Sequence, residues 1–370
     1  MDITAAVATE IGGTFELHQL TLADPAPDEV VVEIAGVGLC HTDLAAKDGH
    51  LPFPLPGVFG HEGSGVVTAV GSAVTKVAVG DKVVLSFDSC GRCRECRNNE
   101  PAYCHDFMAY NFGGARQDGT SPLTRDGEPV GSAFFGQSSF ATHALARERN
   151  VVKVPDDAPL AVLGPLGCGV QTGAGAVLNS LDCQPGSSLL VLGGGSVGLS
   201  AVLAGVVREL SRIIVVEPHP ARRDLALSLG ATDVVDPAAG PLPEQVRSIV
   251  PDGADHAIDT TGIAAVLQDA MSALAHRAKV GIIGVPSDPE AALVLNLIQA
   301  QVLGVRVMGI VEGDSDPDVF VPELLELHRT GRFPFDKLVT TMPFSQINEA
   351  VAAQHRGDAV KIVLVPEESR

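Results

Sequence analysis

Positive charge is scarce in this chain. Against 45 Asp and Glu stand 25 Lys and Arg, for a formal net charge of −20, and the basic residues form no run. A nucleic-acid partner needs clustered positive charge, so the composition speaks against that class. The acidic balance reads as solubility and mutual repulsion of surfaces. The first ten residues lack the basic start and continuous apolar stretch of a signal peptide, and the expectation is a cytoplasmic protein. A long apolar run is also missing, with one near-exception at residues 183–207, which carry no charge. That stretch holds six glycines and a proline, and it reads as a buried strand, a tight turn and a helix, not a membrane span. No solenoid-type repeat and no low-complexity tail appear.

What is present fits a folded globular protein, with 45% hydrophobic and 19% charged residues. At 370 residues the chain is long enough for two domains, taking about 100–200 residues per domain. To about residue 160 it shows short apolar runs broken by Gly and Pro, such as 30–34, 65–70 and 82–85, the texture of an irregular β domain. From about residue 170 apolar strands at 188–192, 213–217, 257–259 and 280–284 alternate with Ala/Leu-rich helical stretches. That alternation predicts βαβ units and a parallel sheet, closed by a strand at 305–310. An acidic loop, a helix near 321–329 and a β-like end at 362–366 follow. This tail is too short to bury a core of its own, so it is expected to return to the first domain.

The run 189–192 leads into Gly193-Gly194-Gly195-Ser196-Val197-Gly198 and then an apolar stretch. Gly193, Gly195 and Gly198 have the G-x-G-x-x-G spacing, which serves a tight turn, close approach of backbone to a pyrophosphate, and close helix–strand packing. The following helix start offers free N–H groups to the phosphates. Glu217, 19 residues after Gly198, stands where a carboxylate takes the adenosine ribose hydroxyls. Its charge disfavours a 2′-phosphate, so NAD is expected over NADP, although Arg222 and Arg223 lie close by.

Seven cysteines is an odd number, and four of them, Cys90, Cys93, Cys96 and Cys104, crowd into fifteen residues. In a long chain without a signal peptide, such clustering points to metal binding rather than disulfides. Four thiolates can enclose a structural zinc; an iron–sulfur cluster uses the same donors. Zinc is preferred because the rest of the chain suggests hydride chemistry, which needs no electron carrier. Cys40, His61 and Cys168 are dispersed. Each alone reads as a core residue, but their settings, Cys40-His41-Thr42-Asp43, Gly60-His61-Glu62-Gly63 and Gly167-Cys168-Gly169, raise them to candidate ligands. Three protein ligands would leave a fourth position open for catalysis. Cys183 joins neither group.

Together these segments resemble the medium-chain, zinc-dependent alcohol dehydrogenases essentially end to end, and within them the aryl (benzyl-type) members. The resemblance implies an α/β fold: a GroES-like β-rich catalytic domain over 1–169 and 311–370, with a structural-zinc lobe near 88–106, and a Rossmann doubly wound parallel-sheet NAD-binding domain over 170–310. It implies two zinc ions per chain, one held by Cys40, His61 and Cys168 and one by Cys90, Cys93, Cys96 and Cys104. Glu62 matches the acidic neighbour that approaches the catalytic metal during ligand exchange. Asp43 matches the carboxylate that steadies the ligand histidine, and Thr42 the hydroxyl that hands on the alcohol proton. His41 matches a residue near the coenzyme pyrophosphate, and Thr172 and Val197 match positions packed on the nicotinamide.

The implied reaction is reversible hydride transfer between NAD and a primary alcohol, aromatic or allylic, to give the aldehyde. Leu51, Ser86, Phe87 and Phe134 lie near positions that line the substrate cleft in such enzymes. Residues 111–150 look like the longer-chain members, which implies a homo-oligomer, a dimer before a tetramer. One departure stands out. Ala45 occupies the place where many members carry a histidine at the end of the proton relay, which leaves water to receive the proton; Lys47 and His50 are close in sequence only. Two other readings remain. Oxidation of a thiol–formaldehyde adduct would want basic residues at the cleft, and a non-catalytic NAD-binding protein would usually lack the catalytic ligands.

Overall fold

The computed structural model describes residues 1–367. The chain divides into two compact units. One comprises Met1–Cys168, Asp316–Leu325 and the chain from Val339; the other comprises Gly169–Ser315 and Glu326–Leu338.

The first unit is built on two sheets. One runs in the order Gly57–Val58, Asp2–Ala8, Phe15–Leu22, Leu123–Arg125, Glu128–Val130. The other is organised around the strand Glu29–Gly38, whose Val/Ile-rich sequence is buried over most of its length because three strands engage it: Gly63–Val70, His143–Arg147 and Lys361–Val365. The final strand is the one that matters for function. It pairs Val363 with Gly38 and Leu364 with Val37, and Leu39 N–H donates to Ile362 O at 2.8 Å. The last strand therefore sits against the segment that leads into Cys40.

The second unit holds six parallel strands in the order Asp233–Val235, Arg212–Val216, Ser188–Leu192, Ala254–Asp259, Leu274–Ile282, Arg306–Gly309. Numbered along the chain this is 3-2-1-4-5-6, the doubly wound Rossmann order, whose switch point lies beside Ser188–Leu192. All five residues of Ser188–Leu192 are buried, as expected of a strand covered on both faces. Residues 183–207 form this strand, a turn and the helix Ser196–Val207. At 12 residues that helix is roughly 18 Å long, well short of the ~30 Å hydrocarbon layer of a bilayer. Among the described residues no helix is long and apolar enough to cross a membrane. Two features differ from the sequence expectation. Asp233–Val235 is a three-residue strand, too short to show a period, and the strand expected at 280–284 starts at Leu274.

Candidate active site

Cys40, the adjacent pair His61 and Glu62, and Cys168 come from three places in the first unit, and one donor atom of each residue lies within 4.8 Å of all the others. Cys40 caps the helix His41–Lys47. Asp43, in the first turn of that helix and fully buried, ties the parts together. It accepts from Cys40 N–H at 3.0 Å, from Gly60 N–H at 3.0 Å and from His61 Nδ1–H at 2.8 Å. The last bond fixes the imidazole so that Nε2 faces the thiols, 3.2 Å from Cys168 Sγ. Phe135 stacks on the His61 ring with centroids 4.3 Å apart, and Phe134 meets it edge-on at 5.5 Å. Gln137, also buried, donates to His61 O at 2.9 Å and accepts from Gly63 N–H at 3.1 Å, which holds the peptides around His61 in place.

The electrostatics favour the thiolate at Cys40 and the protonated ring at His61. The Cys40 thiol is held well below its usual range by its hydrogen bond with Cys168 and, against the cost of burial, by the charges of Lys361 and His61. Burial pushes His61 down, but Asp43 and Cys40 outweigh it and hold the imidazole well above its ordinary value. A metal would have to displace that proton. Two thiols and one imidazole converging in a buried place are a borderline-soft set suited to zinc, with room left for a fourth group. Thr42 Oγ1 lies 3.8 Å from Cys40 Sγ, half-buried, and His41 is exposed.

The other four cysteines form a second cluster, their sulfurs within 4.8 Å of one another. Cys90 Sγ accepts from the N–H groups of Arg92 and Cys93 at 3.4 and 3.3 Å, and Cys104 Sγ accepts from Cys90 N–H at 3.2 Å. Such amide bonds favour thiolates: those from Cys96 and His105 bring Cys93 down to about 6, whereas burial pushes Cys104 up to about 12. The lobe is tied down by Arg147, which donates to both oxygens of buried Asp88 at 3.0 and 3.1 Å. Cys183 is buried, with its thiol pushed up to about 12 by desolvation, and takes no part in either cluster.

In the second unit the turn after Ser188–Leu192 has the geometry its glycines predict. Gly193 has φ +101°, and a Cβ on Gly198 would lie 1.9 Å from Gly193 O. A Cβ on Gly195 would meet nothing within 4 Å. Thr172, buried in Gly169–Gly175, and Val197 lie on two helices that pack closely: a Cβ on Gly173 would fall 2.0 Å from Val197 O. Glu217 is only 3% exposed. Oε2 accepts from Gly194 N–H at 2.8 Å, and Oε1 accepts from His219 N–H at 2.9 Å and meets His219 Nδ1 at 2.6 Å. Arg223 is committed to Asp236 at 3.1 Å and to the Glu217 carbonyl.

Among the residues the sequence suggested for the substrate side, Ser86, Phe87 and Phe134 are buried, and the Ser86 hydroxyl donates to Gly167 O at 2.6 Å. Ala45 is buried as well. Lys47 is no surface residue: it is 7% exposed and bound to Gly13 O at 3.1 Å and to Asp48, while His50 is exposed. Sequence reasoning missed Gln137, Phe135 and Lys361. Lys361 donates to both oxygens of Glu62, a partner 299 positions away, and no local spacing announces it.

Metal-assisted hydride chemistry is the class that a thiol–imidazole donor set and a Rossmann sheet define when one chain carries both. Comparison with known proteins makes the class specific. The alcohol dehydrogenase GroES-like domain matches residues 26–156 and the zinc-binding dehydrogenase domain residues 196–327. The geraniol dehydrogenase of Castellaniella defragrans is 50% identical over 363 residues, covering 98% of this chain and 97% of that protein. Benzyl alcohol dehydrogenase from Acinetobacter calcoaceticus superposes with a TM-score of 0.96 at 42% identity, covering 99% of this chain and 100% of that one. An alcohol dehydrogenase zinc-binding domain protein from Burkholderia ambifaria reaches 0.97 at 46% identity over the full length of both chains. The chain belongs to the GroES-like, zinc-binding alcohol dehydrogenases, a family of oxidoreductases.

Proposed function

We propose that the protein oxidises primary aromatic or allylic alcohols to aldehydes, reversibly, with NAD and two zinc ions per chain. The observation that carries this reading is the buried convergence of Cys40, His61 and Cys168, three donors within 4.8 Å of one another. The alcohol class is supported by relatives named for geraniol and benzyl alcohol and by the aromatic side chains around His61.

Cys40, His61 and Cys168 hold the catalytic zinc, and Cys90, Cys93, Cys96 and Cys104 the structural one. Bound zinc supplies Lewis acidity toward the alcohol hydroxyl, and NAD supplies the hydride acceptor. Asp43 fixes His61 and the backbone at Cys40. The Thr42 hydroxyl receives the alcohol proton and passes it outward; with Ala45 in the usual relay position and Lys47 bound elsewhere, water is its destination. Gly193, Gly195 and Gly198 admit the pyrophosphate to the start of Ser196–Val207, with His41 near it, and Thr172 and Val197 flank the nicotinamide. Glu217 faces the adenosine ribose, and a buried carboxylate there repels a 2′-phosphate, which favours NAD. The reading also assigns residues 1–169 and 311–370 to catalysis and 170–310 to the coenzyme, in a cytoplasmic homodimer.

The test is metal analysis of the purified protein together with NADH formation from NAD and a panel of benzyl, cinnamyl, geranyl and short aliphatic alcohols, plus formaldehyde with and without an added thiol. Two zinc ions and preferred turnover of the first three support the reading. Turnover confined to formaldehyde with an added thiol would replace it.

A further inference from the structure

Gln171 is a fully buried amide in the helix Gly169–Gly175, and one of its partners lies 141 positions further along the chain. Its Nε2 donates to Glu312 Oε2 at 3.0 Å. Its Oε1 accepts from the Ser315 hydroxyl at 3.3 Å, and that hydroxyl also lies against the Glu312 carbonyl. Glu312 and Ser315 are themselves buried. An amide held at both of its polar atoms has one orientation, and Thr172, the next residue of the helix, shares its fixed backbone.

The loop that supplies these partners is strained. Glu312, Gly313 and Asp314 have φ of +51°, +67° and +51°, three left-handed residues in succession, two of which carry side chains. Such a backbone persists only where its surroundings over-determine it, and it collects at functional sites. Here the surroundings are the helix itself. A Cβ on Gly175 would lie 2.3 Å from Gly313 O, and a Cβ on Gly313 would lie 2.4 Å from Gln171 O. Asn179 Nδ2 donates to Gly313 O at 3.2 Å. At Gly173 the helix Ser196–Val207 comes equally close through Val197 O. The turn that carries Thr172 is thus gripped by backbone from the loop and from the second helix.

We propose that Gln171 and Glu312 are positioning residues for the nicotinamide half of the coenzyme: their hydrogen bond fixes the helical turn that presents Thr172 to the ring. The adenosine half, assigned to the glycine turn and Glu217, does not depend on it. The inference rests on the placement of Thr172 beside the nicotinamide and deepens that reading.

Calorimetric titration of the full-length protein with NADH and with ADP-ribose separates the two halves, since ADP-ribose lacks the nicotinamide. Gln171→Glu sets two carboxylates face to face. It should weaken NADH by about tenfold or more while ADP-ribose stays within about twofold of wild type. Gln171→Glu combined with Glu312→Gln exchanges donor and acceptor, still accepts from Ser315, and should recover NADH affinity. A merely structural role predicts equal losses for both ligands. That result, an unchanged NADH affinity in Gln171→Glu, or an exchange that recovers nothing overturns the proposal. Should Gln171→Glu not fold, Glu312→Ala, which removes the acceptor, decides by the same pair of titrations. Thr172→Ala tests the premise. If it leaves the ratio of the two affinities at the wild-type value, the placement of Thr172 fails and the inference with it; a selective NADH loss there with none in Gln171→Glu refutes the inference alone. Wild-type protein that binds neither ligand overturns the coenzyme reading and this inference together.

Discussion

Asp43 accepts three hydrogen bonds from two segments while fully buried, and each bond sets something different: the Cys40 backbone, the Gly60 turn and the tautomer of His61. Asparagine at this position keeps the shape and loses the function. Its amide nitrogen cannot accept, and if turned to His61 Nδ1 it places the ring proton on Nε2, facing the thiols. Asp43→Asn should therefore weaken zinc at the Cys40 site by about 10–100-fold and leave the four-cysteine lobe loaded, as read by competition with a chromogenic chelator. Equal retention of both ions would show that Asp43 does not orient the ligand. Thr42→Ala tests a different kind of residue. Its proposed work is proton transfer, so turnover should drop by about 100-fold or more while NADH binding, followed by fluorescence titration, stays near the wild-type value. Collapse of NADH binding would reassign it.

At the scale of elements, the glycine turn separates two demands that a sequence motif merges. A methyl on Gly198 would collide with the Gly193 carbonyl at 1.9 Å, whereas one on Gly195 has free space and an ordinary φ of −81°. Gly198→Ala should cost about 1–3 kcal/mol of stability as well as coenzyme affinity. Gly195→Ala should stay within about 0.5 kcal/mol of wild type and lose NAD affinity alone. Thermal melts paired with NADH titration read both; equal melting losses would mean that the turn itself, not the ligand, requires Gly195. The motif was legible because an apolar strand, the glycine turn and an apolar helix follow one another directly in sequence. The four cysteines at 90–104 were legible for the same reason, whereas Cys40, His61 and Cys168 are dispersed and were singled out by their flanking motifs and the family resemblance. Lys361, Gln137 and Phe135 were illegible for a matching reason: their work consists of contacts made across distant segments, and nothing adjacent to them marks it. Glu217 was found by spacing, but spacing could not show that Gly194 and His219 already hold both of its oxygens.

The strand Ala254–Asp259 carries a further consequence. His256 is buried, Nδ1 has no partner among the described residues, and desolvation first, then Lys279, depress its pKa below the ordinary value. The folded protein thus resists a proton that the unfolded chain accepts near pH 6.5. Its contribution to stability is present above that pH and is lost as pH falls toward the depressed value. Melting temperature should fall from pH 8 to pH 5.5 by more in the wild type than in His256→Gln. Parallel curves would remove His256 from the acid response.

For the molecule as a whole, the charge of −20 sets a condition on assembly: two copies repel except where acid is absent. Residues 291–305 contain no charged side chain at all. Within them Val294, Leu297, Ile298 and Val302 are 68–82% exposed, and the helix Leu297–Leu303 buries none of its residues. The next strand, Arg306–Gly309, is the end of the six-stranded sheet, with no strand on its outer edge among the described residues. An apolar helix beside an open edge is a surface that a monomer would expose at the risk of aggregation. A second copy related by a two-fold axis fits it, because the same uncharged patch then meets itself. The expected mass in solution is twice the 38.2 kDa of the chain. Association should tighten as salt rises, because screening weakens the repulsion between acidic surfaces while leaving the apolar contact intact. Leu297→Asp with Val302→Asp adds two acidic charges per copy to that contact and should yield monomers by sedimentation, with the cysteine clusters still loaded. A wild-type protein that sediments as a monomer at micromolar concentration across the salt range would refute the dimer, and a doubly substituted protein that still dimerises would move the interface elsewhere.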